Sequence, residues 1–198
     1  VWQRFMTSVV LRTAAYADAG AIAALHVASW RDAFRGMIPD SVLDGPMLDE
    51  RLPMWRQVLA IMPAGRMTLV AVDEAATAEA PIVGFASGGR RRGRERAGLP
   101  YDAEIYTLYV ARARRGQDLG CRLMAAMALR LQLFGHDDVM LWTLRDNAPG
   151  RAFYEGLGGR AIAERDEWFT GAPLKEIGYG WPRIGTLLAA CHDRLATV

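Results

Sequence analysis

Three strand-like runs in close succession limit what this chain can fold into. MTLVAVD (Met67–Asp73), PIVGFASGG (Pro81–Gly89) and DAEIYTLYV (Asp102–Val110) are rich in β-branched and aromatic residues and are bounded by polar or glycine-rich segments. No helix fits between them. Parallel neighbours need a crossover connection, so the three runs are expected to pair as an antiparallel meander. A strand, SVVLRTA (Ser8–Ala14), precedes them. Asp18 is placed to cap a helix running through Trp30, with Ile22, Leu25, His26 and Ser29 at helical spacing. His26 reads as a residue of that helix rather than as a ligand. Trp30–Pro39 reads as a turn region, followed by a short helix near Ser41. A longer helix over roughly Leu48–Met62 is stopped by Pro63 and Gly65. After the meander come a helix over Gly116–Phe134, a strand Val139–Leu144, a helix near Ala148–Leu157, strands Arg160–Glu164 and Leu174–Trp181, and a last helix around Leu187–Leu195.

The 198 residues suit one domain, with no repeat and no linker rich enough in Pro, Gly or Ser to divide it. At 52% hydrophobic and 23% charged, the chain can bury a core without staples. Its net charge of +2 is too small for a general polyanion binder. Cys121 and Cys191 have no metal or redox spacing and read as core thiols in a reducing compartment. The opening residues make no secretory signal, because Arg12 and Asp18 interrupt the apolar run, and no window has the length of a membrane span. A cytoplasmic protein is expected, with Met6 a candidate start.

The stretch RARRGQDLGCRLMAAM (Arg112–Met127) is a basic loop running into an amphipathic helix. The first turn of a helix leaves backbone N–H groups unpaired and carries partial positive charge, which suits phosphate. Leu119, Leu123, Met127 and Leu131 recur every four residues and would fix the helix in the core, with Met124 broadening that face. A Walker A loop requires Gly-Lys-Ser/Thr, which is absent, and the GxGxxG of a dinucleotide fold is incomplete.

The segment Arg115-Gly116-Gln117-Asp118-Leu119-Gly120 resembles the acyl-CoA pyrophosphate loop of the GCN5-related N-acetyltransferases (GNAT), Q/R-x-x-G-x-G/A, with Asp118 in place of the first glycine. EIYTLYV resembles the family's central strand. Asp146-Asn147 followed by Phe153-Tyr154-Glu155-Gly156-Leu157-Gly158 resembles its N…FYExxGF signature. The order of elements is also the family's, and the resemblance spans about Val9 to Trp181. It implies an α+β (α/β) fold: a mixed sheet of six to seven strands, mostly antiparallel with one splayed parallel pair, flanked by helices. One acetyltransferase domain would cover residues 1–198, with a core over about 9–181 and a C-terminal helix over about 184–196.

The same resemblance implies acetyl-CoA as co-substrate, no metal, and transfer of an acetyl group to a primary amine of a small molecule or protein. The main chain of Leu108, Tyr109 and Val110 would pair with pantetheine. Arg115, Gly116, Gln117, Asp118, Leu119, Gly120 and Cys121 would form the phosphate cradle. Asn147 would either cap the following helix or hydrogen-bond the pantetheine amides. Glu104 is the candidate base, directly or through water, and Tyr154 the candidate acid at the departing thiolate. Glu104 alternatively pairs with an arginine of the basic loop Arg90–Gly98, and Tyr154 alternatively only packs on the sheet. Cys121 is favoured as a packing residue over a covalent acyl carrier.

Trp30, Phe34 and Arg35 fall in the first helix–helix connection, which in the family covers the acceptor, and Arg35 would hold a carboxylate there. Tyr106 and Trp142, on the central strands, would complete aromatic walls, or all of these are simply core. Asp118 at ~6 Å from a phosphate, at an effective dielectric near 20, would add roughly 3 kcal/mol of repulsion per charge pair before screening. Three neighbouring arginines would offset this. The alternative reading is a CoA-binding or sensing module with impaired catalysis. No nucleic-acid or membrane partner is expected; the basic loop lacks interleaved aromatics for base stacking. The apolar surface of the last helix would make a homodimer or fold back on its own sheet.

Overall fold

The computed structural model describes residues 8–61, 63–76, 82–93, 98–169 and 172–196. Met6, Met62, Pro81 and residues 94–97 of the basic loop lie outside the described residues. The chain runs β1 (Val9–Thr13), α1 (Ala19–Ala33), α2 (Asp40–Leu43), α3 (Met47–Ala60), β2 (Met67–Asp73), β3 (Ile82–Arg90), β4 (Ala103–Val110), α4 (Leu119–Leu133), β5 (Val139–Leu144), α5 (Ala148–Gly156), β6 (Arg160–Phe169), β7 (Ala172–Trp181) and α6 (Ile184–Ala196). The strands form one seven-stranded sheet in the order β1-β2-β3-β4-β5-β7-β6. All neighbouring pairs are antiparallel except β4 with β5. The expected meander is therefore present, within a mixed sheet flanked by helices.

The period-2 geometry of β2 explains how it stays buried throughout. Leu69 and Ala71 join the cluster that includes α4, while Val70 and Val72 join the cluster that includes α1 and α3. On the α4 face, Leu123, Met127 and Leu131 are fully buried. Glycines in β3 let α4 approach: a Cβ at Gly88 would lie 2.9 Å from the Met127 sulfur, and one at Gly84 would lie 3.0 Å from a Leu123 methyl. The C-terminal helix α6 lies on α4 and buries Ile184, Leu187 and Cys191. These three residues are thus covered within the chain, while Leu195 stays exposed. Cys121 and Cys191 are both buried and free.

Several element boundaries differ from expectation. Helix α1 continues through Ala33 and takes Trp30 with it, because nothing breaks the chain before Gly36, whose φ is 81°. Asp18 does not cap α1; its carboxylate accepts from the Ala15 N–H at 2.7 Å and pairs with Arg12. Helix α4 starts at Leu119 rather than Gly116, because Gly116 (φ 72°) and Asp118 (φ 53°) are left-handed. Strand β6 runs five residues beyond Glu164, to Phe169, because its pairing with β7 continues to Phe169↔Ala172. No helix among the described residues is long and apolar enough to cross a membrane.

Leu123→Ala should lower unfolding free energy by about 2–5 kcal/mol, the range for emptying a packed aliphatic site. Leu133→Ala on the same helix, where the side chain is 71% exposed, should change it by less than about 0.5 kcal/mol. Urea denaturation of the two variants measures the contrast.

Candidate active site

β4 and β5 keep parallel register at only two positions, Glu104↔Met140 and Ile105↔Leu141. The reason lies on the other side of β4. Its pairing with β3 passes from Gly88↔Ile105 to Ser87↔Thr107, so Tyr106 is an extra residue, a β-bulge, immediately after the last contact with β5. A bulge bends and twists its strand. Beyond it β4 stays with β3, and β5 stays with β7 along its whole length. The gap between them opens into a cavity of about 380 Å³. Leu108 and Tyr109 line it from β4, Trp142 and Thr143 from β5, and Tyr154 from α5.

The head of α4 forms a second feature. The first N–H to find a helical partner is that of Arg122, bonded to the Asp118 carbonyl at 3.0 Å, so the amides of Leu119, Gly120 and Cys121 precede the helical ladder. A Cβ at Gly116 would meet nothing within 4 Å, so the loop is open on that side. Gly120 packs against Phe153, with its virtual Cβ 3.3 Å from the ring, so the two sequence signatures touch in space. Gln117 is exposed and bonds back along the loop, its amide donating to the Ala113 carbonyl at 3.0 Å.

The charges around this loop are arranged differently from expectation. The three loop arginines do not meet Asp118. Arg112 and Arg115 grip the two oxygens of Asp32 on α1, at 2.8 and 2.5 Å, and Arg114 pairs with Asp73 of β2. They tie the loop to two other elements. Asp118 occupies the N-cap position of α4 but makes no side-chain cap hydrogen bond. Its carboxylate instead lies 3.8 Å from Arg194 Nε on α6. Cys121 points into the core, its thiol 3.5 Å from the Cys191 carbonyl, and burial pushes its pKa up, away from thiolate chemistry.

Asn147 caps α5, its Oδ1 accepting from Gly150 N–H and its Nδ2 donating to Thr143 Oγ1, both at 3.2 Å, and it also lines the cavity. Tyr154 is half-buried against Phe153, Tyr179 and Trp181, and burial raises its hydroxyl above the usual phenol range. Glu104 is buried and is not on the cavity wall. One oxygen accepts from the Arg92 N–H at 2.9 Å and the other from the Arg92 guanidinium at 3.0 Å. Trp30, Phe34, Tyr106 and Trp142 all line the cavity. Arg35 does not: it is exposed and held by Asp44 and Asp40 at 2.8 and 3.0 Å, so the carboxylate-binding part expected of it is not where the cavity is.

The structure adds wall residues that the sequence reading passed over: His26, Arg51, Arg66, Thr68 and Arg92. Spacing carried a signal for two of them. His26, Trp30 and Phe34 fall every four residues on α1, and Arg51 and Trp55 are four apart on α3, so each set shares a face. His26 is 5% exposed, and its Nδ1 accepts from Trp55 Nε1 at 3.1 Å. Burial, with Arg51 adding to it, lowers its pKa to about 3. The ring is therefore neutral at ordinary pH, and the Nδ1 bond leaves the proton on Nε2. Tyr109 accepts from Trp30 Nε1 at 2.7 Å, and burial raises its pKa to about 12. Among the described residues no group of three or more His, Cys, Asp or Glu is placed to hold a metal ion.

The sequence pattern of the Acetyltransferase (GNAT) family matches residues 27–158. YuaI, an uncharacterised N-acetyltransferase of Bacillus subtilis (strain 168), is 31% identical over 179 residues, covering 90% of this chain and 96% of its own. The fold is similar to a GCN5-related N-acetyltransferase from Rhodopseudomonas palustris, with a TM-score of 0.67 at 22% identity over 90% of this chain and 98% of that one. It is also similar to Arabidopsis thaliana NAA60 in complex with acetyl-CoA, with a TM-score of 0.65 at 14% identity over 87% of this chain and 97% of that one.

The depressed pKa of His26 implies that its contribution to stability is present above pH ~6.5, the unfolded value, and is lost as pH falls toward about 3. Between pH 7.5 and 5.5 the native protein should lose about 1.4 kcal/mol more than His26→Gln, measured from denaturation midpoints at both pH values. At the cradle, Arg194→Ala should weaken coenzyme A binding about two- to fivefold in the native background and by less in Asp118→Gly, because the part-exposed pair then no longer exists. Calorimetric titration of the four proteins checks the coupling.

Proposed function

Because the chain belongs to the Acetyltransferase (GNAT) family, we propose that acetyl-coenzyme A enters the gap between β4 and β5, and that a primary amine, of a small molecule or a protein, meets it in the cavity beyond. The chain is accordingly an acetyl-CoA-dependent N-acetyltransferase. The observation that carries the reading is the two-position register of the parallel pair. Past Ile105, the edge of β4 that faces β5 has no strand beside it. An extended pantetheine arm has the amides to pair with such an edge as an added strand.

The head of α4 is the natural seat for the pyrophosphate. Its free amides and positive helix end favour an anion, and Gly116 permits close approach. The Asp118 carboxylate at the N-cap position works against this. Its proximity to Arg194 partly offsets the unfavourable charge within the fold, which supports coenzyme binding.

The thioester supplies an activated acetyl carbonyl. A backbone N–H on the open edge of β4, near Leu108, is suited to polarise the carbonyl oxygen as the amine nitrogen attacks the carbon. As the carbon–sulfur bond breaks, Tyr154 donates a hydrogen bond to the sulfur. A phenol held above its usual pKa keeps its proton at neutral pH and so remains a donor throughout. The nitrogen must also lose a proton. Each oxygen of Glu104 keeps a second lone pair beyond its bond to Arg92. We assign Glu104 as the terminal acceptor, reached through water rather than by direct contact, because its side chain is off the cavity wall.

Tyr154→Phe should lower kcat about 10- to 100-fold while leaving the Kd for acetyl-CoA within about twofold, read from thiol release and from calorimetry. Equal turnover would remove Tyr154 from the reaction. Glu104→Gln should lower kcat about tenfold or more with coenzyme A binding unchanged, and unaltered turnover would send the proton to bulk water instead.

A further inference from the structure

The acceptor side of the cavity has a charge and hydrogen-bonding character that points to a substrate class. Resting on the reading above, we propose that the acceptor is a small amine that also carries a carboxylate, seated against Arg51 and the Nε2–H of His26. Among the described residues, the guanidinium groups of Arg51, Arg66 and Arg92 line the cavity. Arg51 lies over the Trp30 ring, 5.1 Å from its centroid, and Trp30 is in edge contact with His26. Arg66 and Arg92 lie over Tyr106, at 5.1 and 4.0 Å from the ring centroid. Among the described residues the carboxylates on the wall are Glu167 of β6 and Glu176 of β7, and both lie within 4 Å of Arg165. Glu104 is off the wall and faces Arg92.

Two buried polar atoms on this wall have no partner among the described residues: His26 Nε2 and Thr68 Oγ1. Buried polar groups are normally satisfied, so such atoms call for a partner from water or from a ligand in the cavity. Since His26 Nδ1 already accepts from Trp55, Nε2 carries the proton and needs an acceptor. Tyr109 accepts from Trp30, which leaves its own proton to give. A donor-rich wall beside guanidinium groups is complementary to a carboxylate and hostile to a second ammonium group.

The same charges bear on the reaction. Nearby cations disfavour the ammonium form of a bound amine and so favour the neutral nucleophile. A carboxylate on the acceptor provides the attraction that this field denies to the amine itself, and fixes its orientation.

The test compares matched pairs by thiol release with saturating acetyl-CoA: L-phenylalanine with phenethylamine, L-methionine with 3-(methylthio)propylamine, and 4-aminobutanoate with propylamine, with spermidine as a polycation. At least one acid should exceed its decarboxylated partner tenfold or more in kcat/KM. Arg51→Gln should abolish that preference through KM, Arg51→Lys should retain most of it, and both variants should bind coenzyme A as the native enzyme does. The proposal is overturned by amines equal to or better than acids in every pair, by spermidine as the best acceptor, or by a preference that survives Arg51→Gln. If nothing in the panel turns over, the melting temperature of the enzyme–coenzyme A complex decides: stabilisation by an acid but not its amine supports the proposal, and no stabilisation by any acid overturns it. Failure of coenzyme A itself to bind, seen separately by calorimetry, would instead overturn the reading of the β4–β5 gap on which this rests.

Discussion

The site depends on one extra residue in one strand. Tyr106 is inserted into the β3–β4 ladder directly after the last pair that β4 makes with β5. A sheet with continuous hydrogen bonding would have no opening there. Because β3 holds β4 on one side and β7 holds β5 on the other, the bend separates the two central strands without loss of either ladder. The opening therefore leaves an unpaired edge inside the molecule, next to a helix terminus whose amides are also unpaired. Both are electrostatic invitations to a ligand with amides at one end and phosphates at the other.

The second constraint is charge compensation across elements far apart in sequence. Asp32 on α1 and Asp73 on β2 hold the arginines that precede α4, so these cations brace the loop against the rest of the fold. Asp118 adopts the left-handed backbone that the turn into α4 requires, as Gly116 does two residues earlier. Its carboxylate is met by the last helix. Arg194 also lies over Phe153, 5.7 Å from the ring centroid, so α6 reaches both the cradle and the helix that carries Tyr154. This gives the C-terminal helix a part in the site as well as in the core.

Much of this was legible in the chain itself. The ranges of β2 and β5 and the meander follow from apolar runs with no room for a helix between them. The cradle and the FYEGLG segment follow from residue types in a fixed order, and Trp30, Phe34, Tyr106, Trp142 and Tyr154 do reach the cavity. The misassigned residues share a cause. Arg35 and Asp18 were given roles that their sequence neighbours suggested, but nearby carboxylates or backbone amides captured them. Glu104 sits at the expected place on the strand and meets Arg92 of the adjoining loop, the alternative partner the sequence offered, and its side chain lies off the cavity wall. His26 and Arg51 lie on faces that periodicity reveals, but periodicity does not say whether a face meets core or cavity.

The sequence alone determined the family, the order of elements, and the two motifs that touch at the head of α4, because local patterns encode backbone preferences and short motifs encode their own geometry. Only the tertiary structure decided which charges are already paired, where the sheet parts, and which polar atoms face an opening. Those are properties of distance between residues remote in the chain, and a Coulomb or hydrogen-bond partner can come from any element that folding brings within a few ångströms.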